Sequence, residues 1–439
     1  MYICNARIEL LNMSKRVVLI DGARTPFLRS GTDYMDLMSY QLGAFAIKGV
    51  LDKTGIHPDN VDQVVFGTVV HNVKTPNVAR ESALTAGLNM STPCQTVSQA
   101  CISANQAISR AADMIRLGQA DVIIAGGVDN TSDSPIGYKK SMRKKLFNAQ
   151  KLKTTGDMIK FAMSLKISDF FPDKPAVAEF LTDRLMGQDC DMLAAKFSIK
   201  GEDQDAFALR SHTLAQKAQD EGILAKEIVP VELAPNFKPI DKDNGIRVGT
   251  IDKLAKLKPA FVKPHGTLTA ANSSFLTDGA AAVLIMSEEK AKELGLTPKA
   301  YIHDYIFTAQ DIREELLLGP AYSMAKILNR NGLKMDDMDV IEFHEAFAGQ
   351  ILANVAALAS EDFCKNNIGL DKAVGQIPMD KMNLWGGSLS IGHPFGATGA
   401  RIMTTTANRL IAEGGKYGLL AACAAGGHGH ACILERYPD

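Results

Sequence analysis

Short apolar runs alternate with stretches of helical periodicity along most of this chain, and the alternation occurs twice. "DVIIAGG" (121–127) and "YGLLAACAAGG" (417–427) read as buried strands ending in a double glycine. "ISANQAISRAADMIRLG" (102–118) and "GATGARIMTTTANRLIAEGG" (396–415) carry their apolar residues at helical spacing. Upstream of each pair, "GIHPDNVDQVVFG" (55–67) aligns without gaps on "GLKMDDMDVIEFH" (332–344). A glycine, an Asp-rich turn, an apolar strand and a phenylalanine coincide. The pattern predicts an α/β protein with parallel or mixed sheets, made by duplication of one βαβ-type half. Each half-sheet is expected to stack helices against its twin.

Between the halves the pattern changes. Lys139, Lys140, Arg143, Lys144, Lys145, Lys151 and Lys153 form a basic run. "MIKFAMSLKISDFF" (158–171) then mixes apolar and basic residues until "PDKPAV" (172–177) interrupts it. "DQDAFALRSHTLAQKAQDEG" (203–222) reads as an amphipathic helix, and "TLTAANSSFLTDGAAAVLIM" (267–286) returns to strand character and should rejoin the first sheet. The expected organisation is a first half over 14–132 completed by 262–293, an inserted loop domain over 133–261, and a second half over 294–439.

Composition narrows the function classes. With 48 Lys plus Arg against 49 Asp plus Glu, the net charge of −1 offers no electrostatic footprint for nucleic acid. The seven cysteines are odd in number and dispersed, without a C-x-x-C pair. That argues against a disulfide framework or structural zinc and for a reducing compartment. No apolar run reaches membrane-spanning length. The opening "MYICNARIELLNM" lacks a secretory apolar core and reads poorly as a transit peptide, with Met13 an alternative start. Bacterial cytoplasm is therefore the expected compartment, with the mitochondrial matrix as the alternative.

Four residues stand where each strand gives way to a turn. Cys101 follows "QTVS" and precedes a strong helix, a position where backbone N–H groups favour a thiolate. An inert core cysteine is the ordinary reading; the repeat changes it, because the equivalent junction of the second half carries His393 in "SIGHPFGATGAR". An imidazole is the usual activator of a thiol. His344 in "HEAFAGQ" also sits between strand and helix, with Glu345 beside it as a cap for that helix. Cys423 ends the last strand of the repeat, and the glycines after it clear space for something to approach the backbone. Such strand ends are where α/β sheets build ligand sites. The "HGH" at 428–430 places two histidines on one strand face with no third ligand nearby, so no metal is expected. The glycine-rich segments match neither a P-loop nor a dinucleotide fingerprint.

"VSQACISANQAI", "HEAFAGQ", "GGSLSIGHPFGATGAR" and "CAAGGHGH" together resemble the thiolase family, over nearly the whole chain from about Lys15. "RTPF" (24–27), "ANSSFLTDGAA" and "LLLGP" (316–320) fit the same pattern. Within the family, the resemblance is to the branch that cleaves long-chain 3-ketoacyl-CoA in the fatty-acid oxidation complex. It implies a duplicated, five-layered α-β-α-β-α architecture, Cys101 as nucleophile, His393 as its base, and Cys423 as acid/base for the acetyl-CoA carbanion. It further implies one oxyanion hole from His393 and a water held by His344, and a second from the N–H groups of Cys101 and Ala425. Ser274 would touch the pantetheine of CoA. Coenzyme A is then a substrate, with no resident cofactor. A homodimer or higher homo-oligomer is implied, together with a hydratase/dehydrogenase alpha subunit as partner.

Three departures refine this. Many thiolases have Asn where His344 stands, whereas the complex-associated branch has His, which supports that branch. Alanines occupy "CAA", which leaves the backbone donors intact. Leu185 precedes "MG" where many short-chain biosynthetic thiolases carry a histidine, which counts against an acetoacetyl-specific enzyme. The rivals are a decarboxylating ketoacyl synthase, which has no use for Cys423, and a non-catalytic scaffold or lipid-transfer subunit, which would be expected to lose one of the four groups. The stretch 139–171 has the composition of an element that meets a partner subunit or a membrane surface.

Overall fold

The computed structural model describes residues 15–173 and 178–438. Met13, Cys4 and the rest of the opening segment lie outside the described residues, as does the "KPAV" of the interruption before the amphipathic helix.

One continuous sheet organises the molecule. Its strands are β1 (Val17–Arg24), β2 (Gln63–Gly67), β3 (Cys94–Val97), β4 (Val122–Asp129), β5 (Thr277–Ser287), β6 (Ala300–Ala309), β7 (Val340–Phe343), β8 (Tyr417–Ala424) and β9 (His428–Arg436). They lie in the order β7-β8-β9-β6-β1-β5-β4-β2-β3, with the two-residue strand Leu28–Arg29 added at the start of β5. The repeat is visible strand for strand. β2 runs parallel to β4, and β7 runs parallel to β8. Each pair continues antiparallel, β4 into β5 and β8 into β9. β1 and β6 join the two halves through Val18 opposite Tyr301 and Leu19 opposite Ala300.

Alternation along the strands builds the layers, since successive side chains face opposite ways. Ile123 and Ala125 of β4 and Leu420 of β8 point into a core shared with α3 (Ser103–Arg116) and the long helix over Thr398–Glu413. Val122 and Ile124 point the other way, onto α1 (Ser39–Thr54) and α2 (Val78–Thr85). Leu419 and Ala421 face a third core, with helices at Gly319–Asn331 and Ala348–Ala359. The order is thus α-β-α-β-α. The Thr398–Glu413 helix is buried on nearly every side, and its threonines return their hydroxyls to the backbone, Thr404 to Ala400 and Thr406 to Ile402.

After β4 the chain leaves the sheet and returns as β5, between β4 and β1. On the way it forms α4 (Lys140–Ala149), α5 (Thr155–Ser164), α6 (Met186–Lys196) and α7 (Gly201–Asp220). Cys190 and Leu193 of α6 and Phe207 of α7 pack into the outer core of the second half. Asp243 receives a bidentate, buried ion pair from Arg24 of β1 at 2.7 and 2.8 Å. The excursion is therefore fastened to both halves. α4 and α5 stand apart from this, with only Met142 of the pair buried.

Candidate active site

Cys101 sits on a strained turn. Between β3 and α3 the chain passes through Ala100 at φ +46°, a conformation that costs a non-glycine residue on the order of 1 kcal/mol. Ser103 stabilises it, its Oγ accepting from the Gln99 N–H at 2.8 Å and donating to the Ala100 carbonyl at 2.7 Å. Gly67, at the end of β2, lets this turn seat closely, for a Cβ there would lie 2.5 Å from the Ser103 carbonyl carbon. The backbone N–H groups of Ala425 and of Cys101 itself lie beside the Cys101 sulfur and favour its ionised form.

His393 reaches the same place from the second half, but by a different local structure from the strand end its sequence suggests. Ser388–Ile391 is a single helical turn, closed by Gly392 at φ +113°. A Cβ on Gly392 would fall 2.7 Å from the Thr277 side chain, so only glycine fits. The His393 N–H then donates to Thr277 Oγ1 at 3.0 Å. The loop is tied to the first half by Asp129, buried at the end of β4. Asp129 accepts from the N–H groups of Val69, Val70 and Gly396, and from the Thr68 hydroxyl. The His393 ring is set by Thr398, whose Oγ1 lies 2.7 Å from Nδ1 and donates its own hydrogen to the Pro394 carbonyl at 3.0 Å. That hydroxyl can only accept from the ring, so Nδ1 carries the proton and Nε2 is a free lone pair. Among the described residues no group partners Nε2.

Cys101, His393, Cys423, Ala425 and Ser274 line one cavity of about 280 Å³, whose remaining walls are mostly apolar: Leu185, Met186, Phe261, Leu317, Phe347 and Phe395 among them. His344 does not line it. It follows β7 and lies fully buried behind His393, with ring centroids 4.0 Å apart and its Nε2 also without a partner. Glu345 does not cap the following helix, which begins at Ala348; its buried carboxylate accepts from Asn383, Ser211 and the Leu389 N–H. His430, of the "HGH" motif, is buried against Phe307 and Asn105. Among the described residues no group of three His, Cys, Asp or Glu side chains could hold a metal.

The electrostatics differ from the thiolate expected at Cys101. Burial pushes the Cys101 thiol up to about 12, outweighing the two N–H bonds that act in the opposite sense. Burial likewise raises Cys423, and the Cys101 sulfur beside it adds to the effect. His393 is pushed down to about 3 by burial and by the Arg401 cation. His344 is held well below its ordinary value by burial, by His393 and by Arg401. The resting site therefore holds two neutral thiols and two neutral imidazoles.

A second cavity, of about 300 Å³, adjoins the first through Phe275, which lines both. Arg29, stacked over the Phe275 ring at 3.8 Å, and Arg247 line it together with His212, and no carboxylate does. Sequence reasoning missed both arginines, Arg29 in the two-residue strand and Arg247 in a loop, neither within a motif. It also missed Asp129 and Ser388, whose partners come from distant segments, and Thr398, whose bonds to nearby residues matter only beside the His393 ring.

Residues 17–289 match the family model for the N-terminal domain of thiolase, and residues 296–436 that for its C-terminal domain. The chain belongs to the thiolase family. It is 53% identical over 424 residues to the mitochondrial trifunctional enzyme subunit beta of Bos taurus, covering 97% of this chain and 89% of that protein. It is 50% identical to a probable 3-ketoacyl-CoA thiolase of Caenorhabditis elegans, covering 96% and 94%. Among solved structures, the Bacillus anthracis acetyl-CoA acetyltransferase superposes with a TM-score of 0.82 at 32% identity, over 97% of this chain and all of that one.

Proposed function

We propose that the protein is a 3-ketoacyl-CoA thiolase, an acetyl-CoA C-acyltransferase of fatty-acid β-oxidation. It cleaves 3-ketoacyl-CoA with CoA to acetyl-CoA and an acyl-CoA shortened by two carbons. The observation that carries this reading is the convergence of Cys101, Cys423 and the free Nε2 of His393 on one apolar cavity, with two backbone donors aimed at the nucleophilic sulfur. Nε2 of His393 takes the Cys101 proton as the sulfur attacks C3 of the substrate. The Cys101 and Ala425 N–H groups receive the developing oxyanion, a contribution on the order of 3 kcal/mol per donor. The C2–C3 bond then breaks, its electron pair passing to an acetyl-CoA enolate whose oxygen faces His393 and a water held by His344. Cys423 protonates C2. It next takes the proton of the incoming CoA thiol, whose sulfur attacks the acyl group; Cys101 leaves and recovers its proton from His393.

Neutral groups suit this sequence. A thiol held near 12 is little ionised until substrate arrives, and charge is then made only where donors await it. Ser274 contacts the pantetheine arm, and Arg29 and Arg247 face the CoA phosphates at the mouth of the adjoining cavity. On this reading the first half (14–132 with 262–293) brings the nucleophile, the second (294–439) brings the acid/base groups, and the insert (133–261) supplies walls. Coenzyme A is substrate, and the steps use side chains, backbone N–H groups and the water held by His344. An acetoacetyl-CoA thiolase is the second reading; the apolar Leu185 and Met186 lining favours longer chains. Purified protein given CoA and 3-ketoacyl-CoA of increasing length should form acetyl-CoA, fastest with long chains. No acetyl-CoA at any length would overturn the proposal, and activity confined to acetoacetyl-CoA would select the second reading.

The chain works as a homodimer or larger homo-oligomer, in bacterial cytoplasm or mitochondrial matrix, beside a hydratase/dehydrogenase subunit. The trifunctional-enzyme relative and the surface of α4 and α5 support that association. Phe147, Met163, Ile167 and Phe171 are more than half exposed there, among Lys140, Arg143 and Lys144. Lys145 pairs with Asp169 at 2.6 Å and Arg143 lies 3.7 Å from the Asp173 carboxylate, which leaves Lys140 and Lys144 as the charges to test. Reversing the charge of Lys140 and Lys144 should spare short-chain thiolysis and weaken binding to the partner subunit or to anionic vesicles, the latter also falling with salt. Unchanged association on both counts would return the segment to a solvated surface.

A further inference from the structure

His344 is held by a relay that His393 lacks. Ser388 Oγ lies 3.0 Å from His344 Nδ1 and accepts from Arg401 Nη2 at 3.1 Å. Arginine only donates, so one lone pair of the Ser388 oxygen is taken on that side, and among the described residues Nδ1 of His344 is the acceptor that its hydroxyl hydrogen reaches. The other ring nitrogen must then carry a hydrogen. We infer that Ser388 and Arg401 are positioning residues that fix His344 as an Nε2–H donor, the opposite tautomer to His393.

The surroundings show why two residues are needed. Were Ser388 to accept from Nδ1–H with its second lone pair, its own hydroxyl hydrogen would have no acceptor among the described residues, and both imidazoles, with ring centroids 4.0 Å apart, would carry a bare Nε2. With Arg401 donating to the oxygen, Nδ1 of His344 is the acceptor left for that hydrogen. Arg401 is itself buried, with Nη1 3.8 Å from the Glu342 carboxylate, and its charge also disfavours an imidazolium at either ring. Ser388 is held in place from below. Its helical turn starts at Gly387, where a Cβ would fall 2.1 Å from the Glu345 carboxyl carbon, and that carboxylate accepts the Leu389 N–H at 3.1 Å. The first half offers no counterpart, since the repeat position of His344 is Gly67.

The consequence for catalysis rests on the thiolase reading: a donor at Nε2 orients the water of the enolate hole, while His393 keeps its lone pair for the thiol. The tautomer itself does not rest on it. The test uses the full-length protein labelled with ¹⁵N-histidine, with the His344 signals assigned by their loss in His344→Ala. Wild type should show His344 with Nε2 protonated and Nδ1 bare, and Ser388→Ala should abolish that fixed pattern. Ser388→Ala should lower kcat about 10-fold with KM changed less than about 2-fold, and should cost nothing further in the His344→Ala background. Arg401→Lys, which keeps a donor cation, should lie between wild type and Ser388→Ala. A wild-type His344 protonated at Nδ1, or a Ser388→Ala loss that adds in full to that of His344→Ala, would overturn the inference. Absence of thiolysis in wild type would instead overturn the functional reading, with the tautomer still read by the nitrogen spectrum.

Discussion

The two halves repeat one plan and use it unequally. At the end of β2 the first half has Gly67, whose missing side chain admits the backbone of Ser103; at the equivalent end of β7 the second half has His344. Pairing Phe66 with Gly126 and Phe343 with Ala421 makes Val128 of β4 the counterpart of Cys423 in β8. Each packs into the outer core of its half, but Cys423 also lines the cavity beside Cys101. At the third position, ahead of the central helix, one half holds Cys101 and the other His393. A duplicated fold thus supplies two sets of strand ends; one was kept for close backbone packing around a single nucleophile, and the other gathered three reactive side chains.

This division can be broken by mutation. Removing the one reactive group of the first half should matter most. Cys101→Ala should lower thiolysis by about 10⁴-fold or more, and mass spectrometry should find no acyl group on the protein. Cys423→Ser comes next, with turnover reduced on the order of 10³-fold. It should still accept an acyl group on Cys101 from an activated donor, yet fail to exchange the α-protons of acetyl-CoA; exchange at the wild-type rate would remove Cys423 from its acid/base role. His344→Ala should reduce kcat by about 10²-fold with a smaller change in KM, whereas a change in KM alone would make it a binding residue.

Smaller effects sharpen the comparison. Gly67→Ala, the counterpart of a catalytic position, should act through packing and cost about 1–3 kcal/mol by denaturant titration, because the neighbouring atoms are backbone. The histidine share of the acid limb of stability should fall to the second half and to His212 of the insert, held down to about 4 by burial and by the Arg247 and Arg29 cations. His344, His393 and His430 are all held below their ordinary value in the fold, chiefly by burial. Below about pH 6.5 the unfolded chain takes up protons that the folded chain refuses. Stability should therefore fall as pH drops from about 6.5 toward 3, by up to about 1.4 kcal/mol per pH unit for each histidine. His430→Asn should flatten that slope.

Much of this was legible in the chain because it is periodic or local. The repeat rests on apolar strands and glycine stops, and the layers follow from alternation along β4 and β8. Cys101, His344 and Cys423 could be placed because strand ends are visible as the point where apolar runs stop. What escaped depends on neighbours remote in sequence. The helix N-terminus next to Cys101 suggests a lowered thiol, but the apolar wall from Met186, Phe261 and Phe347 reverses the sign. "SLSI" before His393 has the apolar character of a strand, yet the glycines on either side and the Glu345 carboxylate beneath fold it into one helical turn. Thr398 is four residues downstream of its Pro394 acceptor, a spacing that becomes meaningful only once the His393 ring is seen against it.

The Gly396–Asp129 bond joins residues 267 positions apart, and the turn beside Cys101 waits for Ala425, still nearer the end of the chain. Contacts of such separation form late, because the loops they close are long. A nascent chain that already displays Cys101 therefore has neither His393 nor the Ala425 donor. The acyl-transfer machinery is completed only when the last strands have been made and docked.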